Sequence, residues 1–277
     1  MKKEFLLLAI ILFIACAARL HKVDNPIADW HSWRQADTSA VSRNFVKQGF
    51  DVLHPRFDDL SNVASGKENP EGFRFVEFPL FNLGQAGLYK VFDYFSIDVW
   101  GRVVSIFSSL LSIAFLYLMV AKRLGKKPAL LASLFFGLLP FNIYYGRTIL
   151  PDSSMVMAIL GGIYFFDKWI EKSIKYWLPF VLAVIFTACA FLLKPYALFF
   201  TLPMIYAAFQ QWGIALIKKW QLWLFVILTI APLVAWRMWI SQYPEGIPAS
   251  DWLFNANNIR FKGAFFQWIF ADRIGRL

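Results

Sequence analysis

The sequence predicts an all-α fold: a polytopic membrane helix bundle of about seven crossing helices, with a large external first loop that contains interfacial helices. Three observations predict it. Apolar runs close to the roughly 20 residues that span a bilayer recur along the chain. Of the 277 residues, 58% are hydrophobic and only 17% charged, against about a quarter charged in a soluble domain; the mean hydropathy is +0.51. The charges are also clumped between the apolar runs rather than spread through them.

That clumping excludes one reading of the net charge of +10. A nucleic-acid binder gathers its cations on one face, whereas here they flank apolar segments, where they orient a chain in a membrane. The two cysteines, Cys16 and Cys189, both lie in apolar segments. They form neither a disulfide framework nor a metal-binding spacing.

Met1-Lys2-Lys3-Glu4 followed by the apolar run from Phe5 to Ala18 has the basic start and greasy stretch of a secretory signal. With so many apolar runs to follow, it reads instead as an uncleaved first membrane helix, its N-terminus held in the cytoplasm by Lys2 and Lys3. Residues 19–99 form a long polar excursion. In it, Asp37 or Thr38 can cap a short helix that runs to about Gln48 and stops at Gly49. Asp58 to Gly72, rich in Asp, Asn, Ser, Gly and Pro, reads as a flexible loop. Phe78 to Phe95 is apolar but interrupted by Pro79, Gly84 and Gly87, and reads as a helix lying at the membrane interface.

Six further crossings are expected at about Trp100–Ala121, Ala129–Leu150, Ser153–Ile170, Tyr176–Leu193, Tyr196–Trp212 and Trp220–Trp239. If Phe78–Phe95 does not cross, eleven cations fall on the cytoplasmic side and only Arg147 and Lys194 lie in the short external turns. An extra crossing would reverse every later loop and violate the positive-inside rule. The first loop, the Asp152 turn, the Lys194 turn and the tail 240–277 then share the external face. The chain reads as a single transmembrane domain over 1–277 that lacks its C-terminal part. No short repeat at solenoid spacing interrupts it.

Polar groups concentrate in three external patches. Asp29 to Thr38 packs His31, Arg34, Asp37 and Asp29 among Trp30 and Trp33. Glu77 opens the interfacial helix in Val-Glu-Phe-Pro-Leu, and Arg147-Thr-Ile-Leu-Pro-Asp152 joins two membrane helices. Lys194 adds a cation at the same depth. Ionisable groups at membrane depth are expensive and mark function by default. Each also has a plainer role: Asp37 and Asp152 can cap helices, Arg147 and Lys194 can snorkel, and His31 can be an ordinary loop histidine. His54 and Asp58-Asp59 read as solvated loop residues.

His31-Ser-Trp-Arg-Gln-Ala-Asp37-Thr, Glu77-Phe-Pro-Leu and Arg147-Thr-Ile-Leu-Pro-Asp152, in this order, resemble the N-terminal half of bacterial membrane glycosyltransferases of the GT-C superfamily. The group is that of the protein O-mannosyltransferases and lipid A aminoarabinose transferases. The resemblance implies an inverting transfer of a sugar from a polyprenyl-phosphate donor to a protein, lipid or glycan acceptor on the external face of the bacterial inner membrane. It matches Asp37 to the acid of the first external loop and Asp152 to the second. Relatives often carry two adjacent acids where this chain has Ala36-Asp37, which keeps Asp29 open as a substitute.

The residue types suit that chemistry. An acceptor hydroxyl needs a positioned carboxylate to take its proton, and Asp37, Asp152, Glu77 and Asp29 are the candidates. The departing phosphate needs cations: Arg34 and Arg147 as bidentate forks, Lys194 as a point charge. A divalent Mg or Mn ion on His31 or Asp37 is compatible with hard oxygen ligands, though no spacing requires one. Phe135-Phe136 and Phe199-Phe200 can line a groove for the polyprenyl tail, although in a chain with thirty phenylalanines core packing is their plainer role. The rival reading is a non-enzymatic carrier or flippase for a lipid-linked sugar. Transporters keep their binding groups near the bilayer midplane, and here the polar groups crowd one face.

Overall fold

The computed structural model describes residues 2–28, 31–172, 176–249 and 256–275. Its architecture is helical throughout. Among the described residues the nearest approach to a sheet is one isolated antiparallel bridge between Arg56 and Phe73.

The chain opens with α1 (Lys2–Leu20). Two helices of the long polar segment follow, α2 (Ser32–Gln48) and α3 (Leu80–Val91). The bundle is then built from α4 (Ile97–Leu124), α5 (Lys126–Leu138), α6 (Pro140–Tyr145), α7 (Asp152–Lys172) and α8 (Trp177–Leu193). After a 3-10 turn at Pro195–Thr201 come α9 (Leu202–Trp212), a second 3-10 turn at Gly213–Lys218 and α10 (Trp220–Ile240). Later described elements are 3-10 turns at Pro244–Gly246 and Ala256–Phe261 and α11 (Gly263–Gln267). Three described stretches are long and apolar enough to cross a membrane: Ile97–Leu124, Pro195–Lys218 and Trp220–Ile240, of 28, 24 and 21 residues; α8 is shorter, at 17. The chain is a multi-pass membrane protein.

Helix α7 is the hub. It packs along α8 and α4, while α10 lies on α8, α5 on α4, and α1 on α5 and α4. Gly161 and Gly162 let α8 approach closely: a Cβ on the first would meet Phe186 at 2.5 Å, and on the second the Thr187 hydroxyl at 2.5 Å. Close backbone approach at small residues is how helices associate in lipid, where burial of apolar surface no longer drives them together. Aromatic rings fill the space between these helices, with Trp169, Phe166, Phe180 and Phe225 in mutual contact.

Two expected crossings are interrupted. The run from Ala129 to Leu150 is not one helix: α5 ends at Leu138 and α6 begins at Pro140. Proline pushes the residue before it out of the α region, and Leu139 has ψ 129. The Asn142 side chain restores one lost bond by donating to the Phe136 carbonyl at 2.9 Å. The Tyr196–Trp212 run is likewise split between 3-10 and α geometry.

Charged pairs collect at the two ends of the bundle. At one end Lys126 meets Glu4 at 3.7 Å, and Lys122 and Arg123 converge on Asp167 near the end of α7. At the other end lie the N-terminus of α7, the end of α8 and the segment carrying α2 and α3. Buried arginines secure that end to α1 and the chain leaving it. Arg19, fully buried, donates to the carbonyls of Ala15, Gly137 and Asn142. Arg102 donates to the carbonyls of Val23 and Asn25.

The polar segment is more ordered than its composition suggests. Phe57 N–H donates to the Gly72 carbonyl at 2.8 Å and Arg74 N–H to the Pro55 carbonyl at 2.8 Å. Asn69 closes the turn between them by bonding both the N–H and the carbonyl of Phe73. The Asp58–Gly72 stretch expected to be a flexible loop is thus tied at its base. His54, expected to be solvated, sits against Phe73, Trp239 and Tyr243, with its ring nitrogens 3.0 Å from Asp51 and 3.3 Å from the Tyr243 hydroxyl. This aromatic cluster joins the loop to the chain leaving α10.

Candidate active site

Helix α2 places the first set of side chains. It starts at Ser32 rather than near Asp37, so Asp37 lies in its second turn and caps nothing; the residue preceding the helix, His31, has φ 59 and makes no side-chain cap. Tertiary bonds support the earlier start, because the Gln35 side chain, fully buried, accepts from the Ile149 amide at 3.0 Å. Gly49, with φ 103, ends the helix as expected. The far face of α2 is fixed to α3 by buried polar side chains: Gln85 bonds Ser39 and Ser42, and Asn82 bonds Ser42 and the Thr38 carbonyl. A satisfied buried network of this kind specifies one register between two helices. It therefore fixes where Arg34 and Asp37 stand.

From there an alternating series of charges crosses four elements. Arg34 holds both oxygens of Glu77, at 2.6 and 2.7 Å. Lys194, at the end of α8, reaches the same carboxylate at 2.9 Å and lies 3.7 Å from Asp152. Asp152, the first residue of α7, also accepts from the Tyr196 hydroxyl at 3.1 Å. On the other side, Arg74 pairs with Asp37 at 2.8 Å. The polar segment, α2, α7 and the end of α8 are thereby drawn to one place.

Burial treats the two inner acids differently. For Glu77 desolvation pushes the pKa up, but Arg34 and Lys194 outweigh it and hold the carboxyl below its usual range. For Asp37 desolvation also pushes up, and here it wins over the pull of Arg74 and Arg34, with Asp59 and Asp58 adding to the rise. One carboxylate is locked in its charged form and the other is eased toward protonation. Pushing two acids apart in this way is how a site assigns different tasks to like groups.

Two cavities meet at Arg34. A niche of about 20 Å³ is lined by Arg34, Asp37, Thr38, Arg74, Glu77 and Asn82, among others. It is large enough for one water-sized group. A cleft of about 580 Å³ opens beside it, well within the range of small-molecule sites. It is lined by the polar His31, Arg34, Asp152, Lys194 and Tyr196 and by the apolar Phe136, Leu150, Met155 and Val156, with Ser109, Ser112 and Asn142. Phe136 and Phe200 both line it, Phe200 half-exposed, and Phe135 and Phe199 do not line it. Cations at the mouth and apolar walls below suit an amphiphile with an anionic head.

The other sequence candidates fall elsewhere. Arg147 turns its guanidinium to the His21 carbonyl and lines neither cavity. Its neighbour, the Ile149 amide, donates to Gln35, so this turn helps to position α2. Asp29 and Trp30 lie outside the described residues. His31 and Asp37, the pair considered for a metal, line different cavities, and among the described residues no group of three or more His, Cys, Asp or Glu could hold an ion. Asp37 and Glu77 both face guanidinium groups.

Two contributors escaped the sequence reading, Arg74 and Tyr196. Tyr196 follows Lys194-Pro195 directly, so its nearness to Asp152 could have been read once those two were placed together. Arg74 gave only a faint signal, a lone charge between Phe73 and Phe75.

Fold and site together define a class: a multi-pass helical membrane protein whose charged mouth opens on a greasy cleft, suited to a lipid-borne anion. The profile of the dolichyl-phosphate-mannose-protein mannosyltransferases matches residues 78–239, more than half of the chain, and the chain belongs to that family. No curated protein and no solved structure matches it. The protein is a membrane glycosyltransferase of the GT-C type, and its family implies a polyprenyl-phosphate-linked sugar as donor and an acceptor for that sugar. The matched span contains Asp152 and Lys194 and begins one residue after Glu77; Arg34, Asp37 and Arg74 precede it.

Proposed function

We propose that this chain transfers a sugar from a polyprenyl phosphate to an acceptor hydroxyl with inversion at the anomeric carbon, Asp37 acting as the base. The observation that carries the reading is the convergence of Arg34, Lys194 and Asp152 on one cleft, with Asp37 and Glu77 in the niche that shares Arg34 with it. The donor's phosphate would lie against Arg34 and Lys194, with its tail along Phe136, Phe200 and the apolar walls. The acceptor hydroxyl would enter beside Asp37. As it attacks the anomeric carbon, its proton passes to the Asp37 carboxylate and the sugar–oxygen bond to phosphate breaks. The negative charge left on the phosphate is what Arg34 and Lys194 then stabilise. Asp152, steadied by Tyr196 and Lys194, would orient the sugar hydroxyls, and Glu77 would hold the two cations in register.

The topology we infer has seven crossings: α1, α4, the α5–α6 pair, α7, α8, the Pro195–Lys218 stretch and α10. The end bearing Lys122, Arg123 and Lys126 would face the cytoplasm and the charged mouth the far side of a bacterial inner membrane. The whole of 1–277 would act as one transmembrane domain. The cationic end supports this orientation by the positive-inside rule. A carrier or flippase would need polar binding groups deep in the bundle, whereas the buried guanidiniums of Arg19 and Arg102 bond backbone carbonyls of the scaffold.

Asp37→Asn and Asp152→Asn, assayed separately for sugar release from a polyprenyl-phosphate donor, test the mechanism. Loss of about 10²- to 10⁴-fold is expected for Asp37→Asn, the usual contribution of a general base. Unchanged transfer by both variants would remove it.

A further inference from the structure

We propose that Arg74 is the positioning residue of the site: its guanidinium clamps the Asp37 carboxylate against the one-water niche and so sets where, and at what pH, Asp37 takes a proton. This rests on the reading of Asp37 as the base, and it adds a residue that lies outside the span matched to the family.

The geometry of Arg74 is built from three sides. Its amide is tied to Pro55 at 2.8 Å, which fixes the backbone. The guanidinium lies over the Phe57 ring, 4.7 Å from its centroid; such stacking restrains a flexible side chain and is available to arginine's flat cation. The next residue, Phe75, is fully buried and donates its amide to the Gly246 carbonyl at 2.8 Å. A Cβ at Gly246 would fall 2.4 Å from the Phe75 ring and 2.7 Å from Phe73. Thus the chain leaving α10 presses on the strand-like segment 73–75 and holds Arg74 toward α2.

A second observation separates this arginine from an ordinary ion-pair partner. Arg74 lines the niche, its side chain is nine-tenths buried, and its Nε–H has no partner among the described residues. A buried donor left unpaired destabilises the fold.

The groups facing Asp37 are Arg74 and Arg34, which favour its charged form, and Asp59 and Asp58, which oppose it. Arg34 is shared with Glu77, while the guanidinium of Arg74 is directed at Asp37 itself. Removing Arg74 therefore subtracts the nearest charge that keeps the base ionised.

The test measures kcat and the donor KM across pH for the full chain in detergent, comparing wild type with Arg74→Gln and Arg74→Lys. For Arg74→Gln, kcat is expected to fall about 10- to 100-fold with the donor KM within about threefold. The acidic limb of its kcat profile should move to higher pH by about one unit, the usual effect of losing a neighbouring opposite charge. Arg74→Lys keeps the charge but loses the flat guanidinium that stacks on Phe57; it should restore the limb more than it restores kcat. A lower kcat with an unmoved limb in both variants, or a change confined to KM, overturns the clamp. Asp37→Asn separates the two levels: if that variant retains full activity the base reading fails, whereas an inactive Asp37→Asn alongside an Arg74→Gln profile that overlays wild type sinks only the clamp.

Discussion

Arg34 grips both carboxylate oxygens of Glu77, at 2.6 and 2.7 Å, across 43 residues of chain. Lys194 adds its ammonium to the same carboxylate at 2.9 Å. The two cations best placed for a phosphate are thus already held by an internal anion, and an incoming phosphate must share them with it.

That sharing predicts an unusual phenotype for Glu77→Gln. With the competing charge gone, Arg34 and Lys194 should bind polyprenyl phosphate, the leaving product, more tightly, by about tenfold (1.4 kcal/mol). Product release should slow and kcat fall while the donor KM also falls. The same change leaves two nearby cations without their carboxylate, so stability should drop by about 3 kcal/mol, as when one partner of a buried pair is removed. Product-inhibition kinetics and thermal unfolding of the purified protein check both halves. Weaker product inhibition would show that Glu77 does not compete for those cations.

A pH prediction follows from the unequal treatment of Asp37 and Glu77. The pKa of Asp37 is raised from its ordinary 3.8, so the acidic limb of kcat should lie above that value, with activity rising as pH climbs through the folded pKa. A raised acid favours the fold most when protonated. Its contribution is complete below the unfolded pKa and is lost as pH rises through the folded one. Glu77 behaves oppositely: held below 4.5, it contributes stability above that value and loses it as pH falls through its own lowered pKa. Activity should therefore fail on the acidic side before the Glu77 pairs open. A pH–rate profile set beside a pH–stability profile measures the order, and coincident transitions would contradict it.

Tyr196 should matter modestly and locally. Tyr196→Phe removes one hydroxyl donor to Asp152 at 3.1 Å, a bond worth about 1 kcal/mol or roughly fivefold in rate. The effect should be absent in an Asp152→Ala background, because the acceptor is already gone. A double-mutant cycle on initial rates reads this coupling directly; fully additive losses would mean that Tyr196 acts elsewhere.

Helix packing yields a control far from the chemistry. Gly161→Val would drive side-chain atoms into Phe186, which already lies 2.5 Å from where a single Cβ would sit. Overpacking of this sort costs typically 1–3 kcal/mol, and it acts on the α7–α8 contact rather than on the cleft. Protein that survives purification should show wild-type KM with reduced thermal stability. A large change in KM would tie this contact to the site.

Much of the fold was legible because it follows from local composition. The helix 80–91, the stop at Gly49 and the starts of α7 and α8 all appear as changes in apolar periodicity, capping or charge over a few residues. The broken crossing at Leu139-Pro140 was legible too, in principle, since proline announces its own interruption. The start of α2 was not: Ser32 to Ala36 carries no strong signal, and the bond from the Ile149 amide to Gln35 supports helix where a cap at Asp37 was expected.

The sequence by itself determined that this is a membrane helix bundle with its acids and arginines gathered in the connecting segments, because lipid tolerates charge only at its edges. Tertiary structure alone decided which of those charges meet. Arg147 turned away to His21 while Arg74, an unremarkable residue between two phenylalanines, came to rest on Asp37. The reason is range: hydropathy acts over neighbouring residues, whereas an ion pair needs two atoms within a few ångströms, a condition set by the packing of helices far apart in the chain.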